Sequence, residues 1–463
     1  MASAVKTVFV LIMENRSFDH MLGHRHPAVD GIRKDDAAWI NGVANFHQGA
    51  AYHPFPLSDP RGKLKADPPH GRSTIATQLG AFDGAAYPLK GFVDSYATEK
   101  EGLPFDPVGE RPPVMGWFGP EHAPVTNFLA DNFAVCDHWF APLPAGTQPN
   151  RLMAMSGFTR IDRNKVPVPN QKLVYDWLDQ RGIRWRAYHD SLPFFTIMVN
   201  RVGAILTSSR FRPFSRFIKD VQNEEAAKFP QVVFIEPNYA DAPSLEPSND
   251  DHAPAGIMRG QKFLRDVYRA LTSNPALFAQ SVLIVTYDEH GGFFDHVSPP
   301  RVRTEPPAQD AKWTGGAFES LGVRVPALVI SPFVKPGSVH KSVLDHTSIL
   351  RYLGELFGGG KGYSPEVDGR AVGSVADVLD DPGSTRAAPV CPPFTAYFKR
   401  QPVGLAAAQD QASGGRQPGS VPKNAMEQAF QAALDEIRDH PERPPGRYDE
   451  VIAAFPPDPA VKP

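Results

Sequence analysis

Four short runs, residues 7–13, 232–235, 282–287 and 325–330, are apolar on both faces and rich in β-branched side chains, with turn-forming residues at their ends. A strand buried on both faces needs a covering layer on each side, as inside a parallel sheet flanked by helices. Between the second and third runs lies GQKFLRDVYRALTSNP, residues 260–275, in which Phe263, Leu264, Val267 and Leu271 recur at helical spacing and Asn274 and Pro275 mark an end. That is a βαβ crossover, and it predicts an α/β fold with a central, mostly parallel sheet. A further helix is expected over residues 345–360, opened by Asp345 as a cap and closed by three glycines.

Between these elements the chain is less regular. Residues 24–120 are rich in Pro, Gly and His with little periodicity, which predicts insertion loops with short helices, the kind of segment that often carries function. After Tyr397 the composition shifts: residues 404–422 read as a linker, followed by a helix over 425–438 and a Pro-rich tail. The expected division is a main domain over 1–400 and a linker plus helical tail over 401–463. No internal repeat is present.

Charge excludes some classes of partner. The 48 basic and 51 acidic side chains leave a formal net charge of -3, which gives no long-range attraction to nucleic acid or to an anionic bilayer. Cys136 and Cys391 are too few for a disulfide framework and read as small buried side chains. The apolar run before Glu14 is shorter than the about 7–15 residues of a secretory core segment, and no run of about 18 apolar residues suggests a spanning helix. A cytoplasmic protein without a transmembrane segment is the default expectation; contact with a membrane surface would be local and transient, and non-classical export would leave no mark.

The chemistry collects where the strands end. Ligands of open α/β sheets bind beyond the carboxyl ends of the strands. The first run, VFVLIM, delivers Glu14 and Asn15 to that rim, and TYDEHGGFFDH delivers Asp288, Glu289 and His290. Three carboxylates that close repel unless a cation or protons intervene, and an all-oxygen set points to Mg, Ca or Mn more than to Zn. In PLPAGTQPNRLMAMSG, Thr147 stands where a helix would begin, with Pro149 in its first turn, so its hydroxyl meets unpaired backbone N–H groups that attract phosphate. Hydroxyl, metal and helix N-terminus together describe phosphoryl transfer. His252 in SNDDHAP, His290 and His346 are candidate proton donors or phosphoryl ligands, whereas His189 reads as structural.

The segments MENRSFDH, TQPNR, SNDDH, TYDEHGGFFDH and DHTS resemble, in order, the motifs of the bacterial phospholipase C and acid phosphatase family, most closely the plant non-specific phospholipases C, over roughly residues 5–360. The resemblance implies an alkaline-phosphatase-like α/β sandwich. It also implies that Thr147 is the nucleophile, transiently phosphorylated, and that Glu14, Asn15, Asp288 and Glu289 hold a metal that Thr147 also touches. His252 and His290 would assist at the phosphoryl or leaving group, and Asn150, Arg151 and His346 would bind substrate. The acid phosphatases of the family carry a serine in place of Thr147, so the chain looks like the phospholipase branch. The implied activity is a metal-dependent phospholipase C that releases diacylglycerol and a phosphorylated head group. An acid phosphatase or small-molecule phosphodiesterase with the same site is the alternative, and a phosphate-binding protein without turnover is a third reading.

Overall fold

A computed structural model describes residues 4–58, 64, 67–98, 111–381, 383–393, 415–444 and 446–457. Residues 404–414 of the expected linker lie outside these. The central sheet has eight strands: β1 (Thr7–Met13), β2 (Ala134–Cys136), β3 (Trp185–His189), β4 (Phe211–Pro213), β5 (Val232–Glu236), β6 (Ser281–Tyr287), β7 (Ala327–Ile330) and β8 (Val339–His340). Their order across the sheet is β8-β2-β7-β6-β1-β5-β3-β4. All seven residues of β1 and all seven of β6 are buried, as runs apolar on both faces require.

The fourth apolar run differs from the expectation of a parallel neighbour. β7 pairs antiparallel with both β6 and β2, while β1 is parallel to β5 and β6. The reason is the connection: residues 288–326 contain no helix, so the chain has no crossover and comes back alongside β6 in the opposite sense.

Helices cover the sheet. α1 (Pro124–Asn132) and α3 (Phe217–Asn223) pack on α4 (Met258–Thr272), and α2 (Thr147–Ser156) packs on α5 (Thr347–Phe357). The βαβ helix thus starts two residues before its predicted position and stops at Thr272, because Asn274 caps a separate short helix, Pro275–Phe278. Asp345 does serve the start of α5, accepting the Thr347 N–H at 2.7 Å, although His346 holds the cap position itself.

The described residues of the 24–120 insertion fold into short helices and a small hairpin with a core of its own. Ile32, Ile75, Leu79, Phe92 and Trp117 meet Phe294 and Val323 there, which fastens the insertion over the rim where β1 and β6 end. Near the C-terminus, α6 (Ala425–Asp439) lays Phe430 against Phe194 and Tyr239, ring centroids 5.9 Å apart in both cases. Cys136 and Cys391 are both buried and neither forms a disulfide.

Candidate active site

β1 and β6 are in register as parallel neighbours, Met13 opposite Tyr287, so the residues that follow them emerge side by side. The Asp288 N–H donates to the Met13 carbonyl at 3.0 Å and the Arg16 N–H to the Glu289 carbonyl at 3.2 Å, lacing the two loops together. Asn15 takes φ 60°, a left-handed conformation that asparagine tolerates, and its N–H donates to Asp288 Oδ1 at 3.1 Å. Gly291, at φ 63°, lets the loops close: a Cβ there would stand 2.2 Å from the Asn15 carbonyl oxygen.

α2 comes in from the other side. Gly146 is its cap residue and Thr147 its first helical residue, where the sequence places the start of a helix. The Thr147 Oγ1 is buried and has no hydrogen-bond partner. One turn on, Arg151 reaches Glu14 Oε1 at 3.1 Å and Asp288 Oδ2 at 3.5 Å, packed between the rings of Phe194 and Tyr239. Arg151 therefore offsets carboxylate charge from the α2 side of the cluster. Asn150 is likewise engaged: its Oδ1 accepts the Leu143 N–H at 2.9 Å and its Nδ2 donates to the Ala145 carbonyl at 2.7 Å, shaping the turn that aims Thr147.

The histidines separate into two kinds. The Trp139 indole N–H donates to His346 Nδ1 at 3.0 Å, so the proton sits on Nε2, which donates to the Asp288 carbonyl at 2.8 Å. Burial drives the His346 pKa down to about 4. With both nitrogens used, His346 steadies the Asp288 loop and has none left for substrate. His290 is similar: Gln78 donates through its amide to the Pro69 carbonyl, so its Oε1 accepts from His290 Nε2 at 2.8 Å, and His290 Nδ1 lies 3.3 Å from Glu289 Oε2. It stands against Glu289, with both ring nitrogens facing protein groups.

His252 is different. Its Nδ1 lies 3.0 Å from Glu14 Oε2 and 3.7 Å from Asp241, and its Nε2 lies 3.3 Å from Asp67. Burial opposes its charge, but Asp67, Glu14 and Asp241 outweigh that and hold its pKa well above the ordinary value, as an imidazolium. Sequence reasoning missed Asp67, His70, Asp241 and Asp250. His70 donates through Nδ1 to the Pro68 carbonyl at 2.7 Å and presents Nε2 to the Asn15 amide at 3.4 Å, with its ring 6.0 Å from that of His252. A cavity of about 250 Å³ opens here, bounded by Asp67, His70, Gly146 and Asn164.

The Phosphoesterase family matches residues 5–358 of the chain. The chain belongs to the Phosphoesterase family. It is 32% identical over 387 residues to non-specific phospholipase C1 of Arabidopsis thaliana, covering 76% of this chain and 67% of that protein. Phospholipase C B of Mycobacterium tuberculosis (strain ATCC 25618 / H37Rv) is 29% identical over 411 residues, 76% of this chain and 73% of that one. Among solved structures, an alkaline phosphatase superfamily protein from Vibrio parahaemolyticus aligns with 58% of this chain and 64% of its own at 11% identity and a TM-score of 0.34, a likeness too distant to carry an inference.

The donor set of this phosphoesterase suits a hard cation. Among the described residues, Asn15 Oδ1, Thr147 Oγ1, Asp288 Oδ2 and Glu289 Oε1 are buried oxygens without a hydrogen-bond donor, and Glu14 forms its ion pairs with Arg151 and His252. Burial and then the neighbouring Glu14 push the Asp288 carboxyl up to about 8, so Arg151 offsets only part of the crowded carboxylate charge. Acid–histidine groupings with ligand atoms within 4.8 Å of one another also occur in Glu14, Asp250 and His252, and in Asp67, His70 and His252. A third, Asp19, Asp295 and His296, is already satisfied by Arg324, 3.1 Å from each aspartate. Asp19, Asp295 and His296 of the SFDH and FFDH motifs thus build a buried ion network with Arg324 behind the site, while Glu14, Asn15, Asp288 and Glu289 crowd together in front of it.

Arg16, the remaining charge at the end of β1, turns away from the cluster. It donates to the carbonyls of Asp251 at 2.7 Å and Ala255 at 2.9 Å and faces His20 at 3.0 Å, which ties the His252 loop to the first strand.

Proposed function

We propose that this phosphoesterase is a phospholipase C that attacks the phosphodiester of a phospholipid with the Thr147 hydroxyl. The observation that carries the reading is the Thr147 Oγ1, buried and unpartnered at the start of α2, one turn from the arginine that holds Glu14 and Asp288. The relatives named phospholipase C support the choice of substrate. Glu14, Asn15, Asp288 and Glu289, with Thr147, would hold a divalent cation, and oxygen donors favour Ca, Mg or Mn over Zn. Bound there, the cation supplies positive charge that favours the threonine alkoxide and offsets charge on the phosphoryl oxygens.

The Thr147 oxygen, its proton passed to solvent and regained from solvent when the phosphothreonine is hydrolysed, forms a bond to phosphorus as the bond from phosphorus to the diacylglycerol oxygen breaks in line. His252, held as an imidazolium by Glu14 and Asp67, gives its proton to the departing alkoxide. Water then attacks the phosphothreonine, His252 takes the proton back, and the phosphorylated head group leaves with Thr147 regenerated. The cavity of about 250 Å³ beside His70 and Gly146 has room for a head group and not for two acyl chains. The chains would stay in the bilayer during a transient surface contact, and among the described residues no helix is long and apolar enough to cross a membrane.

The test is rapid quenching of the purified protein with phosphatidylcholine and a divalent metal, followed by mass spectrometry. A phosphocholine adduct on Thr147 and release of phosphocholine support the reading. Turnover of a phosphate monoester alone would make the protein a phosphatase, and an adduct on another side chain would redraw the mechanism.

A further inference from the structure

The residues after 414 lie beyond the segment that matches the family, yet they reach the back of the site twice. Asn424 caps α6 through Oδ1, which accepts the Glu427 N–H at 2.8 Å, while its Nδ2 donates to Asp241 Oδ1 at 3.0 Å. The other Asp241 oxygen stands 3.7 Å from His252 Nδ1. Further along the helix, Phe430 lies on Tyr239 with the ring planes 27° apart, and Tyr239 is one of the two rings that sandwich Arg151. His252 and Arg151 are the two cations on Glu14, at 3.0 Å and 3.1 Å. Each cation that holds Glu14 is therefore backed by a different residue of the C-terminal segment.

We propose that the segment 415–457 is the outer frame of the active site, with Asn424 and Phe430 as positioning residues that set, through Asp241 and Tyr239, where the Glu14 carboxylate stands. The role rests on the hydrolytic reading of that site. One more tie holds the same loop, the Arg416 N–H donating to the Ala240 carbonyl at 3.0 Å, and a second holds the neighbouring end of β3, where the Arg447 guanidinium meets His189 Nε2 at 3.2 Å. The loop from Glu236 to His252 is thus gripped between the sheet and the C-terminal segment. Neither Asn424 nor Phe430 lines the cavity beside His70 and Gly146, so each acts through the side chains it touches, Asp241 for Asn424 and Tyr239 and Phe194 for Phe430. Groups in that outer position commonly govern metal affinity and turnover by fixing the orientation of the inner ones.

Two variants of the full chain isolate the contacts. Asn424→Ser keeps a good helix cap but is too short to reach Asp241. Phe430→Leu keeps apolar bulk and loses the ring that lies on Tyr239. Ile437→Val, two turns further along the same buried face, is the control for loss of packing alone. The measurements are kcat and KM on a chromogenic choline phosphodiester, Mn²⁺ binding by calorimetry, and thermal melting. Asn424→Ser and Phe430→Leu should each lose about 10- to 100-fold in kcat with KM little changed and Mn²⁺ bound more weakly, while melting no earlier than the control. The inference is overturned if their kcat per folded molecule stays within about twofold of the parent. If the parent chain itself shows no turnover, the hydrolytic reading fails instead. Unchanged Mn²⁺ affinity in both variants then overturns the framing role as well.

Discussion

Arg151→Met removes the guanidinium that lies 3.1 Å from Glu14 and 3.5 Å from Asp288, and keeps an unbranched side chain to fill the slot between Phe194 and Tyr239. Side-chain exposures of 5% for Arg151, 1% for Glu14 and 0% for Asp288 leave little solvent to screen the change. Deleting one partner of a buried ion pair costs about 3–5 kcal/mol, because the other charge is left uncompensated. Glu14 keeps His252 at 3.0 Å, which places the expected loss near the lower end, about 3 kcal/mol for the metal-stripped protein. A divalent cation among the same oxygens replaces the missing positive charge, and a ligand at a hundred times its dissociation constant stabilises by about 2.7 kcal/mol. The variant should gain more from the cation than the parent does, since Glu14 no longer shares its charge with a guanidinium. Urea unfolding followed by tryptophan fluorescence, once in EDTA and once in excess Mn²⁺, measures both. The gap between variant and parent should be widest in EDTA and narrow in Mn²⁺. An equal gap in the two conditions would show that the oxygens around Glu14 and Asp288 do not form one cation site.

Thr147→Ala should keep the fold and, with the four other oxygen ligands in place, part of the Mn²⁺-dependent gain in stability, yet lose about 10³-fold or more in kcat, while Thr147→Ser retains a hydroxyl and measurable turnover; steady-state kinetics with a choline phosphodiester decide it. Gly291→Ala forces a side chain into φ 63° and toward the Asn15 carbonyl, so it should cost about 1–3 kcal/mol from strain alone and weaken metal binding, read by denaturation and calorimetry. His296→Asn tests the network behind the site. Burial opposes the charge on His296, but Asp19 and Asp30 raise its pKa from 6.5 to about 9. The stabilisation is complete below pH 6.5, is lost as pH rises through about 9, and amounts to about 3 kcal/mol at most. The parent should therefore lose stability between those pH values and the variant should lose much less; parallel pH profiles would refute the assignment.

How far the sequence foretold this site depends on which physical signal each residue leaves. Glu14, Asn15, Asp288 and Glu289 were legible because a wholly apolar strand ending in polar groups is costly anywhere except at a site, and the two strands lie in register. The direction of β7 was not legible, since a strand covered on both faces has the same composition whichever way it runs. Asp67 and His70 sit in an aperiodic insertion, and what brings them to the rim is a small core around Phe92 and Phe294 that no spacing rule announces. Asp241 and Asp250 share a loop with His252, but a carboxylate in a loop is more often a turn residue than a site residue.

The motif residues assigned to substrate are the most instructive case. Asn150, Arg151 and His346 carry groups that could bind phosphate, and composition cannot tell a side chain facing the ligand from one that holds another side chain in place. That difference lies in side-chain direction. Asn150 spends its amide on the carbonyls of residues 143–146, and His346 is fixed by the Trp139 indole, so both act on the geometry of Thr147 and Asp288 from behind. A motif therefore marks the whole mechanical unit, of which only the part with unsatisfied polar atoms faces the reaction. Here the unsatisfied atoms include Thr147 Oγ1, Asn15 Oδ1, both Glu14 carboxylate oxygens, Asp288 Oδ2 and Glu289 Oε1.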